Sequence, residues 1–309
     1  MLSRTADSLF WLGRYTERAA NVARGLSVAL RMAGLSAQLG AEGDEWRSLL
    51  IATGCEPAFF EKHREASQEN VLDFLVRDPD NPSGILACFA AARHNARSVR
   101  TALTVDMWGA LNDSWNALRH AEYQGERLPG FLEWVRERVL LFNGAAQDTM
   151  LRGEPWLFVQ LGTALERADN TARLLDVKHN LLAPAQQATV EYAQWQSILQ
   201  SVSALRAYHW VYKDRLEPAK IAELLILRPE LPRSLTACHG RVLDVLDRIA
   251  AGQGGRRGEC HRMSGELHAR LRYGRIEDIL AAGLHDYLTD MINRTAALGS
   301  EIEAFYIRA

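Results

Sequence analysis

Several features that would point to a function are scarce or missing in this sequence. Cys55, Cys88, Cys238 and Cys260 stand far apart among 309 residues, with no C-x-x-C pair. That excludes the common thiolate zinc spacings and a disulfide framework. With no secretory segment in view, four buried thiols and a cytoplasmic location are expected. Lysine is nearly absent: Lys62, Lys178, Lys213 and Lys220 are all there are among 36 basic residues, so 32 are arginine. The formal net charge of -2 offers no field for nucleic acid or an anionic membrane, and neither is expected as a partner. No apolar run approaches the roughly 20 residues of a membrane span. The nine histidines show neither H-E-x-x-H nor E-x-x-H spacing, and there is no G-x-S-x-G elbow or glycine-rich loop after a strand. No metal or cofactor is therefore expected.

Helical periodicity is abundant. Apolar or small residues recur at intervals of three and four, as in Leu9, Leu12, Thr16, Ala20, Ala23, Leu26 and Leu30, and no sustained alternation of β-branched residues competes with it. The nine prolines fall where helices should start or stop. The fold class is all-α, with helices expected near 4–33, 43–53, 56–64, 67–77, 83–120, 130–151, 155–182, 188–214, 217–227, 232–251, 258–273 and 277–307. Gly252–Gly255 and, more weakly, Gly40–Gly43 read as loops, and 183–187 as a joint.

The chain also repeats itself. Leu12-Gly13-Arg14-Tyr15-Thr16-Glu17-Arg18-Ala19-Ala20-Asn21-Val22-Ala23-Arg24 returns 149 residues later as Leu161-Gly162-Thr163-Ala164-Leu165-Glu166-Arg167-Ala168-Asp169-Asn170-Thr171-Ala172-Arg173, with eight identities in thirteen. Average residue usage gives about one. Trp46 answers Trp195 at the same offset, and Pro79-x-x-Pro82 ahead of Cys88 answers Pro229-x-x-Pro232 ahead of Cys238. The period is too long for a solenoid. The expectation is a duplicated helical bundle, one domain over 1–309, whose two pseudo-equivalent halves (about 1–150 and 151–309) pack as one body.

On a helix, Glu17, Asn21 and Arg24 share one flank of the apolar stripe, and Arg18 projects nearly opposite, so neighbouring Glu17 and Arg18 each need a partner from elsewhere. Gly13 and Gly162, one turn earlier, each cost a helix about 1 kcal/mol relative to alanine, which suits a close crossing of the two motif helices. Two readings of Glu17, Arg18, Asn21 and Arg24 with Glu166, Arg167, Asn170 and Arg173 stand open. They are buried ion pairs that fix the packing of the halves, or they form a pocket for an anionic or peptide-like ligand, with carboxylates as proton acceptors and arginines as a clamp. Asp169 replaces Ala20 in the second copy and should point a further carboxylate toward the core.

Arg93, Arg97 and Arg100 form a second cluster, three guanidiniums at i, i+4 and i+7 with Asn95 between them. Like charges so close need an acidic helix face, the motif glutamates or a bound phosphate. The corresponding stretch near Leu243–Asp247 lacks the row, so a site should be asymmetric and lie on the Arg93–Arg100 side.

The start Leu9-Phe10-Trp11-Leu12-Gly13-Arg14-Tyr15-Thr16-Glu17-Arg18-Ala19, the second Glu166-Arg167-Ala168 and the stretch Ala92-Arg93-His94-Asn95-Ala96-Arg97 resemble the bacterial alpha-E family of all-helical proteins named for a glutamate–arginine motif. The resemblance covers essentially the whole chain. It implies association with circularly permuted ATP-grasp ligases and transglutaminase-like peptidases, hence a part in ATP-dependent formation of amide or peptide bonds. Its motif falls on Glu17, Arg18, Glu166, Arg167, Arg93, Asn95 and Arg97, with His94 where glutamate is the family pattern. Two functions follow as expectations: an accessory subunit of such a ligase, presenting a Glu/Arg-lined site, or an enzyme acting on an amide or acyl-phosphate intermediate through the same cluster.

Overall fold

Leu9, Leu12, Thr16, Ala20 and Ala23 lie buried along one long helix, α1 (Ser3–Gln38), in the computed structural model, which describes residues 1–38, 44–181 and 188–308. After it come α2 (Glu45–Ala52), α3 (Glu56–Phe60), α4 (Gln68–Val76), α5 (Ile85–Ser98), α6 (Val105–Leu118) and α7 (Leu128–Thr149). The chain continues through α8 (Glu154–Leu181), α9 (Ala188–Ser201), α10 (Leu205–Tyr212), α11 (Pro218–Ile226), α12 (Leu235–Gly252), α13 (Glu259–Arg272), α14 (Ile276–Ala282) and α15 (Leu284–Tyr306). No strand occurs among the described residues, and the fold is all-α.

Side chains set several helix starts. Ser67, Thr104 and Ser234 accept hydrogen bonds from the backbone N–H groups of Asn70, Met107 and Ala237 at 3.3, 3.2 and 3.0 Å. Each such cap is worth about 1 kcal/mol.

Three expected helices are broken. The stretch 83–120 divides at Val99–Thr104, where a short 3₁₀ turn over Arg100–Ala102 ends at Leu103 in extended backbone and Thr104 caps α6. The stretch 188–214 divides after α9, where Ser203 takes a left-handed φ of 59° and the N–H of Ala204 closes back on the Leu199 carbonyl at 2.7 Å. The stretch 277–307 divides at Gly283, whose φ of 101° no helix accommodates. The loop expected at Gly252–Gly255 starts one residue later, because Gly252 still belongs to α12, and Gly254 and Gly255 take positive φ. The loop expected at Gly40–Gly43 and the joint at 183–187 fall outside the described residues.

α1 and α8 run through the middle. α1 packs on α5 and α7, and α8 on α12 and α15; α2 lies against both α1 and α8, and α9 lies on α1. Apolar residues from Ala6 to Tyr306 join one buried cluster, which includes Trp46 of α2 and Trp195 of α9. All four cysteines are free and buried, and burial pushes the thiols of Cys88 and Cys238 up to about 12. Among the described residues, no helix is long and apolar enough to cross a membrane.

Candidate functional site

The two glycines of the repeated motif mark where α1 and α8 touch. A Cβ built on Gly13 would stand 2.3 Å from the Val159 carbonyl oxygen, and one on Gly162 would stand 2.0 Å from that of Phe10. Backbone thus meets backbone on both sides of the crossing, and neither helix has room for alanine there.

One turn further along, the helices exchange charges. Glu17 of α1 accepts a hydrogen bond at 2.9 Å from Nη2 of Arg167 on α8. Glu166 of α8 accepts from Nε and Nη2 of Arg18 on α1, at 2.6 and 2.9 Å. Each glutamate also takes a second arginine: Nη1 of Arg233 lies 2.7 Å from Glu17 Oε1 as an ion pair, and Nε of Arg14 donates to Glu166 Oε2 at 2.8 Å. The divergence of adjacent Glu and Arg around each helix is what makes this crosswise exchange possible. Burial alone would raise the Glu17 carboxyl, but Arg167 and Arg233 outweigh it and hold it at about 2. Burial acts on Glu166 in the same sense, and Arg18 and Arg14 bring it below the ordinary carboxylate range.

The surroundings of the two glutamates differ. Beside Glu17, Arg24 is 5% exposed and donates Nη1 to the Ser201 carbonyl at 3.1 Å, with its buried Nε unpartnered. Burial, then the like charge of Arg233, pushes this guanidinium well below its usual range. The counterpart of Arg24 in the second motif is Arg173, whose Nε donates to Asp169 Oδ2 at 2.8 Å. Asp169 was expected to face the core. It instead stands at a cleft, because a carboxylate one turn before an arginine finds its partner on its own helix.

That cleft, about 240 Å³, opens between α1 and α8 beside Glu166. Arg14, Arg18, Asn21, Asn170 and Arg173 line it, with Ser83 from the turn before α5 and Gly54 from the turn after α2. Gly54 has φ 67° and passes close to Arg173: an added Cβ would be 3.3 Å from its Nη1. Burial is the first cause that raises the Asp169 carboxyl above its usual value, with Arg173 opposing it. A second cleft of about 200 Å³ reaches Arg167 from the side of Cys238 and Arg241. No group of three or more His, Cys, Asp or Glu side chains able to hold a metal ion occurs among the described residues.

Of the expected site residues, Glu17, Arg18, Glu166 and Arg167 form the exchange, Asn21, Asn170 and Arg173 join Arg18 and Glu166 at the cleft, and Arg24 is sealed beside Glu17. The arginine row is elsewhere. Arg93 donates Nε to Asn112 at 3.0 Å, the Arg100 guanidinium stacks 5.1 Å from the Trp108 ring, and Arg97 is exposed; Asn95 is half-buried on the same helix. None of the three arginines forms an ion pair among the described residues. The break at Val99–Thr104 explains this, because α6 packs back on α5 and brings Trp108 and Asn112 to the row. The two sides of the crossing do differ, not through the arginine row but through Asp169, Arg14 and Arg233. Sequence reasoning left Arg14 and Arg233 out. Arg14 sits one turn before Arg18, a signal that could have found it; Arg233 aligns with Ser83 at an offset of 150, in a turn whose approach to Glu17 no local pattern reveals.

A family model described as a predicted alpha-helical domain with a conserved ER motif matches residues 1–307. Among curated proteins, an uncharacterized protein of Mycobacterium bovis and another of Mycobacterium tuberculosis are each 26% identical to this chain over 319 residues, an alignment covering 94% of it. The chain spans 35% of the length of these relatives. No solved structure matches it.

Proposed function

The chain belongs to the Alpha-E family, and from that premise we propose that it is a cytoplasmic helical accessory subunit of an ATP-grasp-type amide or peptide ligase system, presenting the Glu166 cleft to the ligase or its ligand. The reading takes the chain as one domain over 1–309 built from two repeats, with the ligase as partner and a transglutaminase-like protein as a further one. The observation that carries it is the commitment of both motif glutamates to arginines. Glu17 is fully buried, holds two guanidiniums and is kept ionised at about 2, so it is no proton acceptor near neutral pH. Glu166 is likewise clamped by Arg14 and Arg18. A motif spent on holding two helices together supports a binding part over an enzyme working through the same cluster. The mycobacterial relatives, in which the matching stretch is 35% of the length, support a part that works beside other modules.

Co-expression with an ATP-grasp ligase encoded in the same genome, followed by size-exclusion chromatography, tests the reading. Co-elution at about micromolar concentration is expected. Independent elution would overturn it, as would amide-forming or acyl-phosphate turnover by the isolated chain that Glu17→Gln abolishes without lowering the melting temperature.

A further inference from the structure

The cleft beside Glu166 keeps hydrogen-bonding capacity that its ion pairs do not use. Asn170 is 7% exposed and stands in the cleft wall, and its amide Nδ2 has no hydrogen-bond partner. A buried donor left unmet costs about 1–3 kcal/mol, so a ligand oxygen is what this position lacks. Next to it, Asp169 and Arg173 place a carboxylate and a guanidinium 2.8 Å apart at the cleft, and only one Asp169 oxygen is spent on Arg173.

Charge narrows the ligand class. Three guanidiniums (Arg14, Arg18, Arg173) face two carboxylates (Glu166, Asp169), a formal balance of +1. One negative charge completes it. A phosphate monoester brings nearly two and would meet both carboxylates. A carboxylate with an N–H donor on the neighbouring carbon offers one negative charge and a group for Asp169 to accept. At about 240 Å³ the cleft is smaller than the roughly 300–1,000 Å³ of pockets for drug-sized ligands.

We propose that this cleft binds the C-terminal carboxylate of a short peptide. The ligand carboxylate pairs with Arg173 and accepts from the Asn170 N–H, and the adjacent amide N–H donates to Asp169. The proposal deepens the accessory-subunit reading and rests on it only in taking the cleft as the surface presented to the ligand.

Isothermal titration of the full chain with L-alanyl-L-alanine, its C-terminal amide and inorganic phosphate tests it. The dipeptide is expected to bind saturably, and loss of its carboxylate in the amide should weaken binding by at least about tenfold. Asp169→Asn and Asn170→Ala should each weaken the dipeptide by about tenfold while the helical circular-dichroism melt persists, and Arg241→Ala in the second cleft should leave it unchanged. No dipeptide heat up to about 10 mM, equal binding of dipeptide and amide, or tighter binding of phosphate would overturn it. The dipeptide and amide comparison needs only the unmodified chain, so a variant that fails to fold does not blunt the test. Ligase co-elution without dipeptide binding sinks this inference alone; dipeptide binding without co-elution sinks the accessory reading alone.

Discussion

The surroundings of Glu17 and Glu166 are counterparts at a 149-residue offset, and the differences between them are few and consequential. Around Glu17 there are three guanidiniums, Arg24, Arg167 and Arg233, and one carboxylate, with Arg24 driven into the interior. Around Glu166 there are again three, Arg14, Arg18 and Arg173, but Asp169 adds a second carboxylate and a cleft opens. Ala20 against Asp169, Arg14 against Thr163 and Ser83 against Arg233 account for the divergence. The first region is closed by a long side chain, whereas the second has a small residue at the same turn and is left open. A shared motif thus fixes the helix crossing twice, and its neighbours decide which side keeps an open cleft.

The sharpest way to break this comparison is to remove the carboxylates one at a time. Glu17→Gln leaves three guanidiniums with no acid among them and should cost about 3–5 kcal/mol in urea unfolding. Glu166→Gln leaves Asp169 in place and should cost roughly 2–3 kcal/mol. Equal losses, or a larger one at Glu166, would mean the charge balance does not separate the two sides. The acid limb gives a second readout. Glu17 is depressed from 4.5 to about 2 in the folded chain. Its contribution is therefore complete above pH 4.5 and lost as pH falls toward 2, a change of roughly 3 kcal/mol that the Glu17→Gln variant should lack.

A smaller loss, about 1–3 kcal/mol, is expected for Gly162→Ala and for Gly13→Ala, since each added methyl must push the opposite carbonyl away. A thermal melt showing either substitution to be neutral would count against the backbone contact. Arg24→Met should change stability by about 1 kcal/mol or less in either direction, because it trades one carbonyl hydrogen bond for relief of a buried charge that has no acid of its own. A loss as large as that of Glu17→Gln would show Arg24 to be the partner Glu17 depends on.

The smallest effect is expected at Asp169, with the sign opposite to that at Glu17. Its carboxyl is raised above 3.8 on folding, so its contribution is present below pH 3.8 and falls away as pH rises through the folded value. Asp169→Asn should therefore flatten a decline with pH, measurable by urea titrations across the acid range. A steeper decline would reverse the assignment.

Much of the crossing was legible in the sequence, because it rests on period and on residue size. Leu12, Thr16, Ala20 and Ala23 define a face, Gly13 and Gly162 announce a close approach, and Glu17 beside Arg18 cannot pair on the same helix. The elements that escaped depend on backbone conformations or distant neighbours. Ser203 takes a left-handed φ without being glycine, and Gly283 lies in a helix-like pattern that conceals its φ of 101°. The arginine row was misplaced for a related reason: three like charges on one face suggest a missing anion, but an aromatic ring and an amide from a helix folded back across the face serve equally well. Arg233 reaches Glu17 from a turn more than 200 residues away in sequence, and only the assembled helices show that approach.

The crosswise exchange also governs what happens if the polypeptide is divided. The acid of each motif finds its guanidiniums on the other side: Glu17 needs Arg167 and Arg233, and Glu166 needs Arg14 and Arg18. Two fragments severed between α7 and α8 would each expose an unmatched glycine notch and an orphaned carboxylate, and each would hold what the other is missing. Such pieces are built to complement one another, as a split reporter does, and to be insoluble or unstructured when made alone.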